Sequence, residues 1–267
     1  MNRKILIVGA SSGLGYALSE YFKDEDIITF SRKLYHPISS KHCYVDINNE
    51  DDVNYGFRTI NELNWGPVTH LIITAGVYGE LEKFAFSNPY KWINTIHTNL
   101  IGPAIICHKV IPSMIEKKYG KIVLLSGGGA TKPIVGASAY SASKCGLVRF
   151  AETIAHELYE YNIDVNCVAP GLMNTKFVDQ AIKAGSKIIG KELFYDSKYI
   201  KGLTKQEDFK KPIKLIDWLL SKDSDGVSGK LISAVHDNWV NFYENNRELD
   251  DWHTLRRIDN ITRSIVE

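Results

Sequence analysis

Short apolar runs recur at 4–8, 26–30, 42–46, 70–74, 121–126 and 163–169, and the stretches between them repeat their apolar residues at helical spacing. Strands therefore alternate with helices. A run such as Ile5-Leu6-Ile7-Val8 suits a strand covered on both faces, and regular alternation with helices makes the sheet parallel and doubly wound. The pattern continues with a helix over 212–220 and a seventh strand over 230–235. Residues 1–267 are thus expected to form one α/β domain of about seven strands, with helices on both faces and no linker or repeat. In such sheets ligands bind beyond the C-terminal ends of the strands, so those ends are where chemistry is sought.

The first strand turns through Gly9-Ala10-Ser11-Ser12-Gly13-Leu14-Gly15 into an amphipathic stretch. Glycines at these places permit a tight turn and let backbone amides at the helix N-terminus approach a pyrophosphate. Farther on, Tyr140 and Lys144 stand four residues apart in Ser138-Ala139-Tyr140-Ser141-Ala142-Ser143-Lys144. On a helix that spacing puts both on one face. A phenol titrates near roughly 10, and a fixed cation beside it favours the phenolate, so Lys144 is expected to lower the pKa of Tyr140 and fit it to trade a proton with a carbonyl or carbinol oxygen.

These pieces, with Asp46 after the third strand, Thr74-Ala75-Gly76 after the fourth, Asn99 in a long helical stretch, and Pro170-Gly171 with Thr175, resemble the short-chain dehydrogenase/reductase family over most of residues 3–235. The resemblance implies a Rossmann fold binding a nicotinamide dinucleotide and interconverting a ketone and a secondary alcohol. It makes Tyr140 the acid-base and gives Lys144 the additional task of holding the nicotinamide ribose; Asn99 supports a water linking Lys144 to solvent. It sets the glycine turn with Ser11, Ser12 and Leu14 on the pyrophosphate, Asp46 and Ile47 at the adenine, and Ala75 and Gly76 beside the cofactor. Pro170, Gly171, Met173 and Thr175 then meet the nicotinamide amide and the phosphates. Relatives pair through helices corresponding to about 90–117 and 140–160, which implies a homodimer or homotetramer. The glycine triplet at 127–129, the strand at 228–234 and the tail at 254–259 bear a weaker resemblance to the branch associated with bacterial surface-polysaccharide synthesis.

One position departs from the family. Its catalytic serine lies thirteen residues before the tyrosine, which here is Gly127, with Ser126 just ahead. The flexible triplet Gly127-Gly128-Gly129 lets Ser126 be read as the displaced donor. The second strand ends in Ser31-Arg32-Lys33, without the carboxylate that binds both ribose hydroxyls of NAD. A guanidinium suits a 2′-phosphate, so NADP(H) is expected over NAD(H).

Residues 176–212, read as a substrate lid, hold nine lysines against five acids, an excess of four positive charges. A basic lid points to an anionic metabolite such as a sugar, sugar phosphate or nucleotide sugar. Residues 236–267 form an extension carrying Trp239, Phe242, Tyr243 and Trp252, expected to pack on this subunit or a neighbour. A formal net charge of +1 gives no field suited to nucleic acid. With neither a signal peptide nor an apolar run near the roughly 20 residues of a membrane span, a cytoplasmic protein is expected. Cys43, Cys107, Cys145 and Cys167 show no metal-ligand spacing and are read as reduced structural thiols, Cys145 as a small core residue; no metal is expected. Two other readings stay open: a non-catalytic NADP(H)-binding sensor or scaffold, and an epimerase or dehydratase using transient oxidation.

Overall fold

The computed structural model describes residues 3–33, 41–203, 205–239 and 254–255. In chain order the elements are β1 (Lys4–Val8), α1 (Gly13–Tyr21), β2 (Asp26–Ser31), β3 (Lys41–Tyr44), α2 (Glu50–Glu62), β4 (His70–Ile73), α3 (Pro89–Ile96) and α4 (Gly102–Lys117). Then follow β5 (Gly120–Leu125), α5 (Ser138–Leu158), β6 (Ile163–Ala169), α6 (Lys176–Ala184), α7 (Ser186–Ile189), α8 (Lys191–Lys201), α9 (Lys205–Leu219) and β7 (Leu231–Ser233). All seven strands pair in parallel, in the order β3-β2-β1-β4-β5-β6-β7. The order reverses direction between β1 and β4, and a crevice opens at such a switch point.

Burial on both sides explains why the strands read as unbroken apolar runs. Ile5 and Ile7 of β1 pack in a cluster with Leu14 and Leu18 of α1 and Leu215 and Ile216 of α9. Leu6 and Val8, on the other face, pack with Ile106 and Val110 of α4 and Leu147 and Ala151 of α5.

At the N-terminal end of the central strands the residues change character. His70, Lys121 and Asp164 sit side by side in register across β4, β5 and β6. Lys121, 1 % exposed, holds Asp164 and Asp225 at 2.7 Å each. His70 is also buried and is bracketed by Thr69 Oγ1 at 2.8 Å and the Leu220 carbonyl at 3.2 Å.

The predicted lid folds as α6, α7, α8 and the start of α9. Thr175 caps α6, its side chain accepting from the Phe177 amide. Gly185 and Gly190, both near φ +80° and with open space where a Cβ would lie, flank the single turn of α7. Of the extension, Trp239 stacks on Trp218 at 5.9 Å, and Leu255 packs on the core beside α5 with its carbonyl bonded by Arg149. Phe242, Tyr243 and Trp252 lie outside the described residues. Cys43, Cys107 and Cys167 are buried thiols, whereas Cys145 is exposed on α5, which corrects its reading as a core residue. Among the described residues, no helix is long and apolar enough to cross a membrane.

Candidate active site

The glycine turn sits at the switch point. Gly9 adopts φ +100°, which favours glycine, and a Cβ there would lie 2.5 Å from the Ala75 amide nitrogen. Gly15 presses on the Gly9 carbonyl and on Thr74 Oγ1, leaving no room for a side chain. That hydroxyl in turn donates to the Val8 and Gly9 carbonyls at 3.0 and 3.2 Å. Ser12 starts α1 in extended backbone without a side-chain cap. A Cβ on Gly13 would meet Thr175 Cγ2 at 3.3 Å, so the loop after β6 faces the glycine turn. A backbone cradle whose side chains are excluded fits a dinucleotide pyrophosphate. Near it Pro170 is buried, Gly171 adopts φ +86°, and Met173 packs beside the α1 and α9 core, its carbonyl accepting from the Thr175 amide at 2.7 Å.

At the end of β2, Ser31 Oγ donates to the Lys33 carbonyl at 2.9 Å, and Arg32 is exposed. The β2–β3 pairing brings Asp46 round so that its Oδ2 lies 3.8 Å from Arg32 Nη1. A carboxylate therefore stands beside Arg32, although none ends β2 itself. The pair is open to solvent, so it ties up the guanidinium only weakly. Next to it Ile47 is buried, and a Cβ on Gly102 would lie 2.5 Å from Ile47 Cγ1, so the predicted adenine loop packs on the start of α4.

Tyr140 and Lys144 do share one face of α5, and both are almost fully buried, 6 % and 4 % exposed. Their relation differs from the expected one. Lys144 Nζ donates to the Leu125 carbonyl at 2.6 Å and lies 5.9 Å from the centre of the Tyr140 ring. Burial, with the Tyr78 phenol adding to it, raises the pKa of Tyr140 above its ordinary value instead of lowering it. Burial also lowers Lys144, to about 8. A phenol held protonated suits proton donation, the step that completes a carbonyl reduction.

Asn99 lies in a π-helical turn, His97–Ile101, between α3 and α4. Such turns carry one extra residue and recur at functional sites. Its Oδ1 accepts from the Val77 amide at 2.8 Å, while its Nδ2 donates to the Val77 carbonyl at 2.8 Å and to Ser143 Oγ at 3.0 Å. The amide therefore grips the loop after β4. A Cβ on Gly76 would lie 3.4 Å from both Asn99 Oδ1 and Lys144 Nζ, so these three residues do meet at one point.

Gly127 faces the phenol: a Cβ there would come within 3.0 Å of Tyr140 Oη. Ser126 is 5 % exposed, and its Oγ has no hydrogen-bond partner among the described residues. A buried hydroxyl left so costs about 1–3 kcal/mol and calls for an explanation.

Two residues escaped the sequence reading. Tyr78, two places after Gly76, packs on Tyr140 and on Phe177 of α6 with ring centres 4.7 Å apart in each case. Ala181, Ile188 and Ile189 extend this cluster, so the inner face of the lid is apolar. Its lysines, Lys176, Lys183, Lys187, Lys191, Lys198 and Lys201, are exposed, and Lys198 Nζ lies 4.7 Å from the ring centre of Phe194, a side chain packed on this cluster. The spacing Phe177, Ala181, Ala184, Ile188 was the available signal.

Comparison with known proteins places the chain in a family. A bovine 3-oxoacyl-[acyl-carrier-protein] reductase is 36% identical over 130 residues, 49% of this chain and 54% of its own, so the match spans about half of that relative. Zebrafish (Danio rerio) carbonyl reductase family member 4 is 31% identical over 186 residues, 66% of this chain and 77% of its own. The ligand-free aldohexose dehydrogenase of Thermoplasma acidophilum has the same fold, with a TM-score of 0.73 at 23% identity over 87% of this chain and 92% of that one. Since the short chain dehydrogenase family model also matches residues 3–185, the chain belongs to the short-chain dehydrogenase/reductase family of oxidoreductases.

Proposed function

We propose that the protein is an NADPH-dependent reductase that converts a ketone to a secondary alcohol, and the reverse, on a small metabolite. The observation that carries this reading is the meeting of Lys144 and Asn99 at Gly76, with the Tyr140 ring centre 5.9 Å from the Lys144 ammonium, beside a glycine cradle shaped for a dinucleotide. When bound, the nicotinamide supplies the hydride that the carbonyl carbon receives. Gly9, Ser11, Ser12, Gly13, Leu14 and Gly15 would hold the pyrophosphate, with Thr175 closing the cradle from across the turn. Arg32, with Lys33 next to it, would meet a 2′-phosphate in preference to its exposed pairing with Asp46, which supports NADP(H) over NAD(H).

Tyr140 gives its phenolic proton to the carbonyl oxygen as the carbon is reduced. Burial keeps that proton in place at neutral pH. Lys144 supplies positive charge close to the site, anchored to β5 by the Leu125 carbonyl, and favours the phenolate left behind. Asn99 fixes the Gly76–Val77 loop against Lys144. Ser126, whose hydroxyl is buried and unpartnered, is assigned the donor bond to the substrate oxygen. The support for an anionic substrate is the set of exposed lysines on the lid. A cytoplasmic homo-oligomer pairing through α4 and α5 completes the reading, and sedimentation at micromolar concentration tests the assembly.

The deciding experiment follows NADPH oxidation over a panel of ketones and compares Tyr140→Phe with wild type. Loss of turnover with cofactor binding intact is expected. Gly127, in the serine's place, favours a non-catalytic cofactor sensor as the second reading. Wild-type inactivity on every ketone, with NADPH still bound, would establish it.

A further inference from the structure

We propose that Tyr78 and Phe177 form an aromatic clamp that selects a ketone bearing a flat apolar ring beside the carbonyl. This inference rests on the reductase reading. The two rings stand over the reacting phenol, with centres 4.7 Å from Tyr78 to Tyr140, 4.7 Å from Tyr78 to Phe177, and 6.2 Å from Tyr140 to Phe177. At such separations the rings already touch, so a flat apolar group would enter by taking over the contact that Phe177 makes on Tyr78.

The two sides of the clamp are built differently. Tyr78 is a fixed wall. Just before it, Val77 is held through both its amide and its carbonyl by Asn99. Just after it, Gly79 at φ +72° lies so close to Thr95 that a Cβ would overlap the threonine hydroxyl. Tyr78 itself is 4 % exposed. Phe177 is assigned as the adjustable wall: it rides on the first turn of α6, and Gly185 and Gly190, beyond the far end of that helix, have no neighbour within 4 Å of a Cβ position. Residues that can rotate without a steric penalty are where closure motions concentrate.

The remainder of the cluster is aliphatic, including Ile134, Ile189 and Leu193. An anionic group placed against Ile134, Ile189 and Leu193 would shed its water at a cost, and Lys198, whose ammonium lies 4.7 Å from the ring centre of Phe194, is itself exposed to solvent. A ring ketone loses nothing comparable there and removes apolar surface from water.

The test measures kcat and KM with NADPH for acetophenone and propiophenone against fructose and dihydroxyacetone phosphate, in wild type, Phe177→Ala, Phe177→Leu and Tyr78→Leu, with melting temperatures as a check on folding. The ring ketones are expected to lead in kcat/KM by about tenfold or more, and Phe177→Ala to raise KM for them alone by a similar factor with kcat little changed. Phe177→Leu preserves volume and separates loss of the aromatic face from collapse of the lid. If wild type prefers fructose or dihydroxyacetone phosphate, or if the Phe177 and Tyr78 variants weaken all four ketones alike, the clamp is overturned while the reductase reading stands. If wild type reduces none of the four with either nicotinamide cofactor, both fall.

Discussion

Replacing Gly127 by serine places a hydroxyl where the family keeps its catalytic one, so alignment alone predicts a gain of activity. The packing around Tyr140 predicts the opposite. A Cβ at position 127 would come within 3.0 Å of Tyr140 Oη, closer than side-chain carbons sit in real proteins. The ring has nowhere to retreat: Tyr78 lies 4.7 Å from it, and a Cβ at Gly129 would already be 3.0 Å from two of its carbons. Tyr140 must therefore be displaced by something near 1 Å, and a shift of that size in a reacting group costs about a hundredfold in rate. Overpacking of this kind also costs about 1–3 kcal/mol, or some 2–4 °C of melting temperature per kcal/mol in a chain of this size. Gly127→Ser and Gly127→Ala are compared by NADPH absorbance decay with the best ketone and by thermal denaturation. Both variants are expected to lose activity and stability together, since both carry the Cβ. Higher turnover in Gly127→Ser at an unchanged melting temperature would refute the reasoning and show that the loop opens for a side chain.

Ser126→Ala is expected to cut turnover by about a hundredfold while stabilising the fold by about 1–3 kcal/mol, because it deletes an unpartnered buried hydroxyl; a gain in stability with full activity would remove Ser126 from the mechanism. Lys144→Met should abolish turnover yet stabilise the protein at neutral pH. The folded-state pKa is lowered to about 8 from an ordinary 10.5, so keeping the ammonium buried costs about 3 kcal/mol below pH 8, a cost that fades as pH rises from 8 to 10.5 in denaturation profiles. Burial likewise lowers His70 to about 4 from 6.5, so the unfolded chain binds the extra proton and stability falls by about 3 kcal/mol as pH drops through that window; His70→Asn should flatten the acid limb in urea titrations, and an unchanged limb would contradict this. Arg32→Ala should weaken NADPH more than NADH by about tenfold or more in fluorescence titrations, and equal weakening would assign Arg32 no part in cofactor choice.

The sheet was readable because each strand announces itself by local apolar composition, and the glycine turn because its conformation forbids most other residues. What the sequence concealed depends on contacts between distant segments. Spacing put Lys144 on the face of Tyr140, but only the fold shows its ammonium turned to the Leu125 carbonyl and both groups dehydrated. Asp46 reaches Arg32 through the pairing of β2 with β3, which no count of charges at the end of β2 can reveal. The lid shows the same limit: a total of its charges carries no direction, whereas the helical phase of Phe177, Ala181 and Ile188 does.

The polar row at the opposite end of the sheet bears on how the strands find their alignment. If β6 slid by one residue against β5, Ile163 or Val165 would replace Asp164 opposite Lys121, taking from the buried ammonium one of its two carboxylates. Breaking a buried pair outright costs about 3–5 kcal/mol, and losing one of two carboxylates costs part of that, which disfavours the slipped sheet during folding. Proofreading at that end has a geometric effect at the other, because the same two strands continue to Leu125 and Val168. Their carbonyls hold Lys144 and the Ser126 amide. An ion pair remote from any substrate thus sets, through strand register, where the reacting groups stand.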